Sequence, residues 1–166
     1  MKNLWTPWRM SYILGEKDGA KGCIFEAAPG QSHSKPHYIL YRDDLVIVLL
    51  NQFPYANGHL LVAPVRHVGD IMALNPAENI AIMGMLQNCV AVLEKHLKPH
   101  GFNIGLNLGE VAGAGLAEHL HFHIVPRWEG DHNYMTVLAE IRAIPEHIDN
   151  TFDQLLPEFE ALHNTN

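Results

Sequence analysis

The chain has 166 residues, 48% of them hydrophobic and 17% charged, which suits one folded domain with its own core and excludes a disordered segment. A formal charge of −7 argues against a broad grip on a nucleic-acid backbone, though not against one nucleotide held by a few backbone amides. The start "MKNLWTPWRM" lacks a signal-peptide core, no apolar run is long enough for a bilayer, and Cys23 and Cys89 give no disulfide framework; a cytoplasmic protein with no membrane partner is expected.

Thr6 and Pro7 read as the cap and first position of a short helix, with Gly15 as its stop. Residues 21–37 are rich in Gly, Pro, Ser and Ala and read as irregular. "DLVIVLLN" (44–51) is a buried strand by its β-branched run; "QFPYANG" is turn chemistry, and "HLLVAP" (59–64) is the antiparallel partner. Asn75 caps, Pro76 opens and Pro99 closes a long helix whose stripe is Met83, Leu86, Val90, Leu93 and Leu97. "FNIGLNLG" (102–109) is a strand, and the glycine-rich "GEVAGAG" (109–115) leads into "EHLHFHIVPRW" (118–128). "MTVLAEIRAI" reads as extended, and a final helix spans about 150–163 with Pro157 inside it. There is no internal repeat or linker, so residues 1–166 form a single domain.

Twelve histidines are an unusual number for this length, so their spacing carries more weight than their count. His119, His121 and His123 alternate, so on a strand they share one face while Leu120, Phe122 and Ile124 share the other. The apolar face is expected to pack on the long helix, leaving the histidine face open. Three readings fit: a solvated edge strand, a metal site, or attack on phosphorus by one imidazole with its neighbours orienting it. The adjacent "GEVAGAG" offers backbone N–H groups without side-chain obstruction, an anion-binding concavity that favours phosphate chemistry.

"HLHFHIV" resembles the signature of the histidine triad (HIT) superfamily of nucleotide hydrolases and transferases: His-x-His-x-His and two apolar residues. "LVIVLLNQFPYANGHLLVAPVRHV" resembles that family's strand-turn-strand, and the likeness runs from about residue 23 to 135. "LWTPWRMSYI", "GAGLAEHLHFHIVPRW" and "GDHNYM" are similar to the diadenosine tetraphosphate phosphorylase-like branch. The resemblance implies an α+β fold, an HIT-like antiparallel sheet with one long helix packed on it plus terminal helical segments, and commonly a homodimer.

It also implies roles. His121 would be the nucleophile, attacking the α-phosphorus to form a nucleotidyl-histidine. His119 and His123 would hold charge and help the leaving group, with His59 completing the set near the phosphate. Asn51 would bond the ribose, or else simply serve its turn. Phe25 and Val46 to Leu50 would build the base pocket, and would be core in any case. Asn107 and Gly113–Ala114–Gly115 would embrace the phosphates, though the glycines could equally form a tight loop. Trp128 would border the site, or only pack.

Two departures from the family pattern matter. Many relatives carry Ser or Thr three residues before the first triad histidine; here that residue is Leu116, preceded by Gly115 where Gln is usual. The space so gained suggests inorganic phosphate as acceptor, giving ADP and ATP. The alternatives are water as acceptor, on dinucleoside polyphosphates or nucleoside phosphoramidates, and a nucleotide-binding sensor or interaction module without significant catalysis. Many bacterial relatives also carry Cys-x-x-Cys for a structural zinc; here Glu26 replaces the second cysteine, so Cys23, Glu26, His67 and His119 are the expected ligands. No organic cofactor is expected.

Overall fold

The computed structural model describes residues 23–26, 37–131 and 144–163. The expected helix from Thr6 to Gly15 and nearly all of the extended 135–144 segment lie outside the described residues.

Five strands form one antiparallel sheet: β1 (Ile39–Arg42), β2 (Val46–Leu50), β3 (Leu60–Pro64), β4 (Gly101–Leu106) and β5 (Phe122–Arg127). They lie in the order β1-β2-β3-β5-β4. β2 and β3 pair in full register, Val48 opposite Val62, as the two apolar runs led one to expect. β1 was not expected. It has four residues, follows the left-handed Tyr38, and its pairing slips between Ile39 and Tyr41, so its alternation is too short and irregular to read. Asp43 closes its turn into β2 by accepting from the backbone N–H of Leu45 and Val46 at 2.8 and 2.7 Å.

Helix α1 (Pro76–Leu97) begins where the sequence indicated. Asn75 and Glu78 form a reciprocal capping box, and Pro76 occupies the first turn, where its missing N–H costs nothing. Of the expected stripe, Leu86 and Leu93 are buried and Val90 and Leu97 pack against the same core, so only Met83 departs from it. Met83 is 57% exposed, while Ile82, Met85, Leu86, Cys89, Val92 and Leu93 are buried. Ile80 and Met83 are apolar but exposed, so periodicity finds the side that faces the sheet and misses its exact edge. Glu78 is anchored by Arg66, whose Nε and Nη2 each donate to its carboxylate at 2.8 Å.

Helix α2 (Ile148–His163) buries Thr151, Phe152, Leu155 and Phe159 and runs through Pro157, which lies on the exposed side. Both helices share one core with Leu40, Val48, Leu60, Val62 and Ile124. The opposite sheet face carries a smaller cluster of Phe25, Ile39, Ile47, Leu49, Leu61 and Ala63. His123 sits opposite Leu61 on β3 and Gly105 on β4, so it belongs to this second face, away from the helices. No helix among the described residues is long and apolar enough to cross a membrane.

Candidate active site

The three alternate histidines are not one open row. β5 begins at Phe122, and His119 precedes it at the end of a turn, its N–H reaching Leu116 O at 3.4 Å. The N–H of Leu120 is tied instead to Val68 O at 2.7 Å, which draws this segment off the ladder. His119 is fully buried, against the expectation of an open face. Burial is tolerated because both ring nitrogens have partners. Its Nε2–H donates to Pro64 O at 2.8 Å, since a carbonyl can only accept, and its Nδ1 lies 3.1 Å from Cys23 Sγ. Burial holds the His119 pKa below the usual histidine range, so the ring is neutral.

The same reasoning fixes the other tautomers. His121 Nδ1 lies 2.8 Å from the His119 carbonyl and must therefore carry the proton, leaving a lone pair on Nε2. His59 Nδ1 accepts from the backbone N–H of Tyr55 at 3.1 Å and lies 3.2 Å from Asn51 Nδ2. His59 must then carry its proton on Nε2, which donates to His123 Nδ1 at 2.9 Å. His123 in turn keeps its proton on Nε2. Of the four imidazoles, His121 alone is set with Nδ1–H and a bare Nε2 (the arrangement a nucleophile needs).

Two expectations change here. His59 is fully buried, its Nδ1 engaged by Tyr55 N–H and its Nε2 by His123, so neither ring nitrogen faces the open groove. Burial and the neighbouring His121 push the His123 pKa down to about 4, so at pH 7 His123 offers a hydrogen bond and not a charge.

Phe25 packs on the triad from behind, its ring centroid 4.9 Å from His119 and 5.3 Å from His121. Of the Val46–Leu50 run, alternation sends only Ile47 and Leu49 to the Phe25 cluster; Val46, Val48 and Leu50 lie in the helix core. The expected base pocket therefore comprises at most half that run, and its side chains are buried. Asn51 does serve its turn, accepting from Phe53 N–H at 2.9 Å, while its amide touches His59.

The glycine loop is less of an anion cradle than its sequence suggested. The N–H groups of Ala112 and Ala114 bond to Gly109 O, that of Gly113 to Glu110 O, and Asn107 Nδ2 donates to Gly113 O. These donors hold the loop's own turn. Gly109 and Gly113 have positive φ, which makes the turn their first function. Gly115 has open space where a side chain would stand, and Leu116 turns inward onto the Phe25 cluster. An open groove of about 850 Å³ runs along β4 from His123, lined among others by Tyr55, Asn103, Asn107, Arg127 and Trp128.

A second cluster adjoins the triad. One ligand atom each from Cys23, His67 and His119 lie within 4.8 Å of one another. One thiol and two imidazoles suit zinc, and the Nε2–H of His119 bonded to Pro64 O is the outer partner a metal-bound histidine needs. Glu26 departs from expectation: its carboxylate bonds His67 Nδ1 at 2.9 Å and stands outside the three-atom cluster. Burial, with the charge of Glu26 adding to it, pushes the Cys23 thiol up, so without a cation the thiol stays protonated.

Sequence reasoning missed Tyr55, the close approach of Gly69 to the Ala117 carbonyl, and the carbonyls of Pro64 and Val68. All but the Tyr55 ring act through main chain or absence of a side chain, for which residue type gives no signal. The Tyr55 ring lies against His59 and stacks near His123 at 4.7 and 5.8 Å.

A family model described as HIT domain matches residues 32–130. A Mycobacterium tuberculosis protein named AP-4-A phosphorylase is 38% identical over 166 aligned positions, covering 96% of this chain and 85% of that one. A Schizosaccharomyces pombe protein named bis(5'-nucleosyl)-tetraphosphatase (asymmetrical) is 33% identical over 93 residues, 56% of this chain and 50% of its own. A solved Zn-bound histidine triad family protein from Mycobacterium smegmatis shares the fold, with a TM-score of 0.62 at 24% identity over 78% of this chain and 88% of that one.

Proposed function

The chain belongs to the HIT domain family, and from that premise we propose that it cleaves dinucleoside polyphosphates, diadenosine tetraphosphate in particular, by transferring a nucleotidyl group through His121 to inorganic phosphate. The observation that carries this reading is the bond from His121 Nδ1–H to the His119 carbonyl. It leaves Nε2 bare, so attack from Nε2 needs no separate base. In the first step the Nε2–P bond forms at the α-phosphorus, the bond from that phosphorus to the bridging oxygen breaks, and ATP departs. The resulting nucleotidyl-imidazolium keeps its Nδ1–H on the His119 carbonyl, whose dipole faces the new positive charge. In the second step an oxygen of inorganic phosphate attacks the same phosphorus, the P–N bond breaks, and ADP leaves with neutral His121 restored. His123 donates its Nε2–H to a phosphoryl oxygen.

Phosphate as acceptor is supported by the open side of Gly115 and by the 38% identity to a protein named as a phosphorylase. The test is product analysis on diadenosine tetraphosphate with and without phosphate. Phosphate-accelerated formation of ADP and ATP is the expected result. AMP and ATP at a rate indifferent to phosphate would make water the acceptor, and tight nucleotide binding without any product would reduce the protein to a binding module.

The same reading gives the Cys23, His67 and His119 cluster a structural zinc ion, with Glu26 orienting His67 or moving in as a fourth ligand. Bound there, zinc would supply a tetrahedral tie between the N-terminal residues and the triad, and no step of the reaction passes through it. Purified protein is expected to hold about one zinc per chain, and Cys23→Ser to lose most of it. Zinc-free wild-type protein whose melting temperature ignores a chelator would remove the ion from the scheme.

A further inference from the structure

The HIT match ends at residue 130, yet polar side chains beyond it reach back to Asn57, in the loop that ends at His59. Thr151, on α2, is buried to 1% exposure. Its hydroxyl lies 2.9 Å from Asn57 Oδ1 and 2.7 Å from Glu146 Oε2, and Asn57 Nδ2 donates to the same carboxylate at 3.1 Å. Three residues from two distant parts of the chain thus form one polar ring, in which the single hydroxyl proton of Thr151 is shared between two acceptors. Asn57 belongs to the loop between β2 and β3. That loop carries Tyr55, whose N–H fixes the His59 tautomer, and it ends at His59 itself. Gly58 next to Asn57 has φ +73, and a Cβ there would stand 2.3 Å from Leu97, so the loop is also seated against the end of α1.

We infer that Asn57, Glu146 and Thr151 are positioning residues for the reaction: α2 holds the 51–59 loop through them, so that Tyr55 keeps His59, and His59 keeps His123, with the proton on Nε2. The geometry of the ring supports this over a purely structural tie. Phe152, Leu155 and Phe159 already secure α2 to the core by burial, so the polar ring is not needed to attach the helix. Its point of attachment is the one loop that ends on the His59–His123 pair. A tilt of that loop by a fraction of an ångström would lengthen the Tyr55–His59 bond and release the tautomer of both rings.

The kinetic arm of the test rests on the nucleotidyl-transfer reading above, and a spectroscopic arm stands apart from it. Thr151→Val keeps the volume and removes the hydroxyl. It is expected to lower kcat by about ten- to hundredfold with KM within about twofold, because misplacement of a group acting in the transition state costs rate before binding. Thr151→Ser, which keeps the hydroxyl, is expected to restore kcat. Independently of any substrate, side-chain ¹⁵N spectra of wild-type protein should show His59 and His123 each with Nε2 protonated, and Thr151→Val should mix their tautomers. Should Thr151→Val not fold, Glu146→Gln carries the same two readouts. Wild-type kcat together with unmixed tautomers in a folded variant would overturn the inference. Mixed tautomers in a protein that cleaves no dinucleotide would uphold it while sinking the reaction assigned to the site.

Discussion

His121→Ala is expected to cut dinucleotide cleavage by at least about ten-thousandfold while leaving the fold in place. The size of the loss follows from the chemistry. Without Nε2 no P–N bond forms, and the direct transfer that remains must place phosphate and substrate together with no covalent stage between. No other imidazole can stand in. His119 has its Nε2–H on Pro64 O and its Nδ1 beside the Cys23 thiol, and His59 is closed off by Tyr55 and His123. His123 presents an N–H where a lone pair is needed, because its Nδ1 accepts from His59. The fold should hardly notice the change: His121 is half-buried and its Nδ1–H bonds a carbonyl of the neighbouring turn, so the cost should stay below about 1 kcal/mol. Circular dichroism and a thermal melt alongside the rate separate the two effects. Retention of more than a few per cent of activity would reject His121 as nucleophile.

The second large effect is expected from a residue with no side chain. Gly69 lies against the turn that delivers the triad, and a Cβ there would stand 2.7 Å from Ala117 O, 3.1 Å from Glu118 O and 3.2 Å from Glu118 C. These are main-chain atoms, which cannot swing aside like the end of a leucine. The next bond, from Leu120 N–H to Val68 O at 2.7 Å, pins the two segments together, so they cannot part without losing it. Gly69→Ala is therefore expected to cost about 1–3 kcal/mol in overpacking. For a chain of this size that lowers the melting temperature by roughly 2–4 °C per kcal/mol. The rate should fall with it, by about ten- to hundredfold, because residues 117 and 118 lead directly to the carbonyl that orients His121. A Gly69→Ala protein with the wild-type melting temperature and rate would show that the turn is softer than this packing implies.

Much of the fold was readable. The β2–β3 pair, α1 with its cap and proline, β4, β5 and α2 all lie close to where hydrophobic pattern and capping chemistry put them. The exceptions share a cause. β1 is too short to show alternation, and α1 carries exposed apolar residues beside its buried face, so the edge of the stripe, at Met83, is misplaced while the rest of it packs on the core. At the site, the resemblance named the four histidines, but their unequal surroundings depend on tertiary contacts. His119 leaves the strand because Leu120 bonds to Val68, and no feature of "HLHFH" announces that. In sequence the glycine loop reads as a row of donors because glycine offers bare N–H groups. The folded loop spends several of them on Gly109 and Glu110, as tight turns do. Glu26 stands in the sequence position of a ligand, and in the structure its carboxylate pairs with His67, a contact that residue type alone does not announce.

The most direct measurement is a rapid-quench experiment with diadenosine tetraphosphate labelled at the α-phosphorus, followed by peptide mapping of the quenched protein. The scheme predicts a nucleotidyl adduct on His121 that forms within one turnover and is discharged as ADP when phosphate is added. Turnover with no labelled protein, or label on His119 or His123, would contradict it.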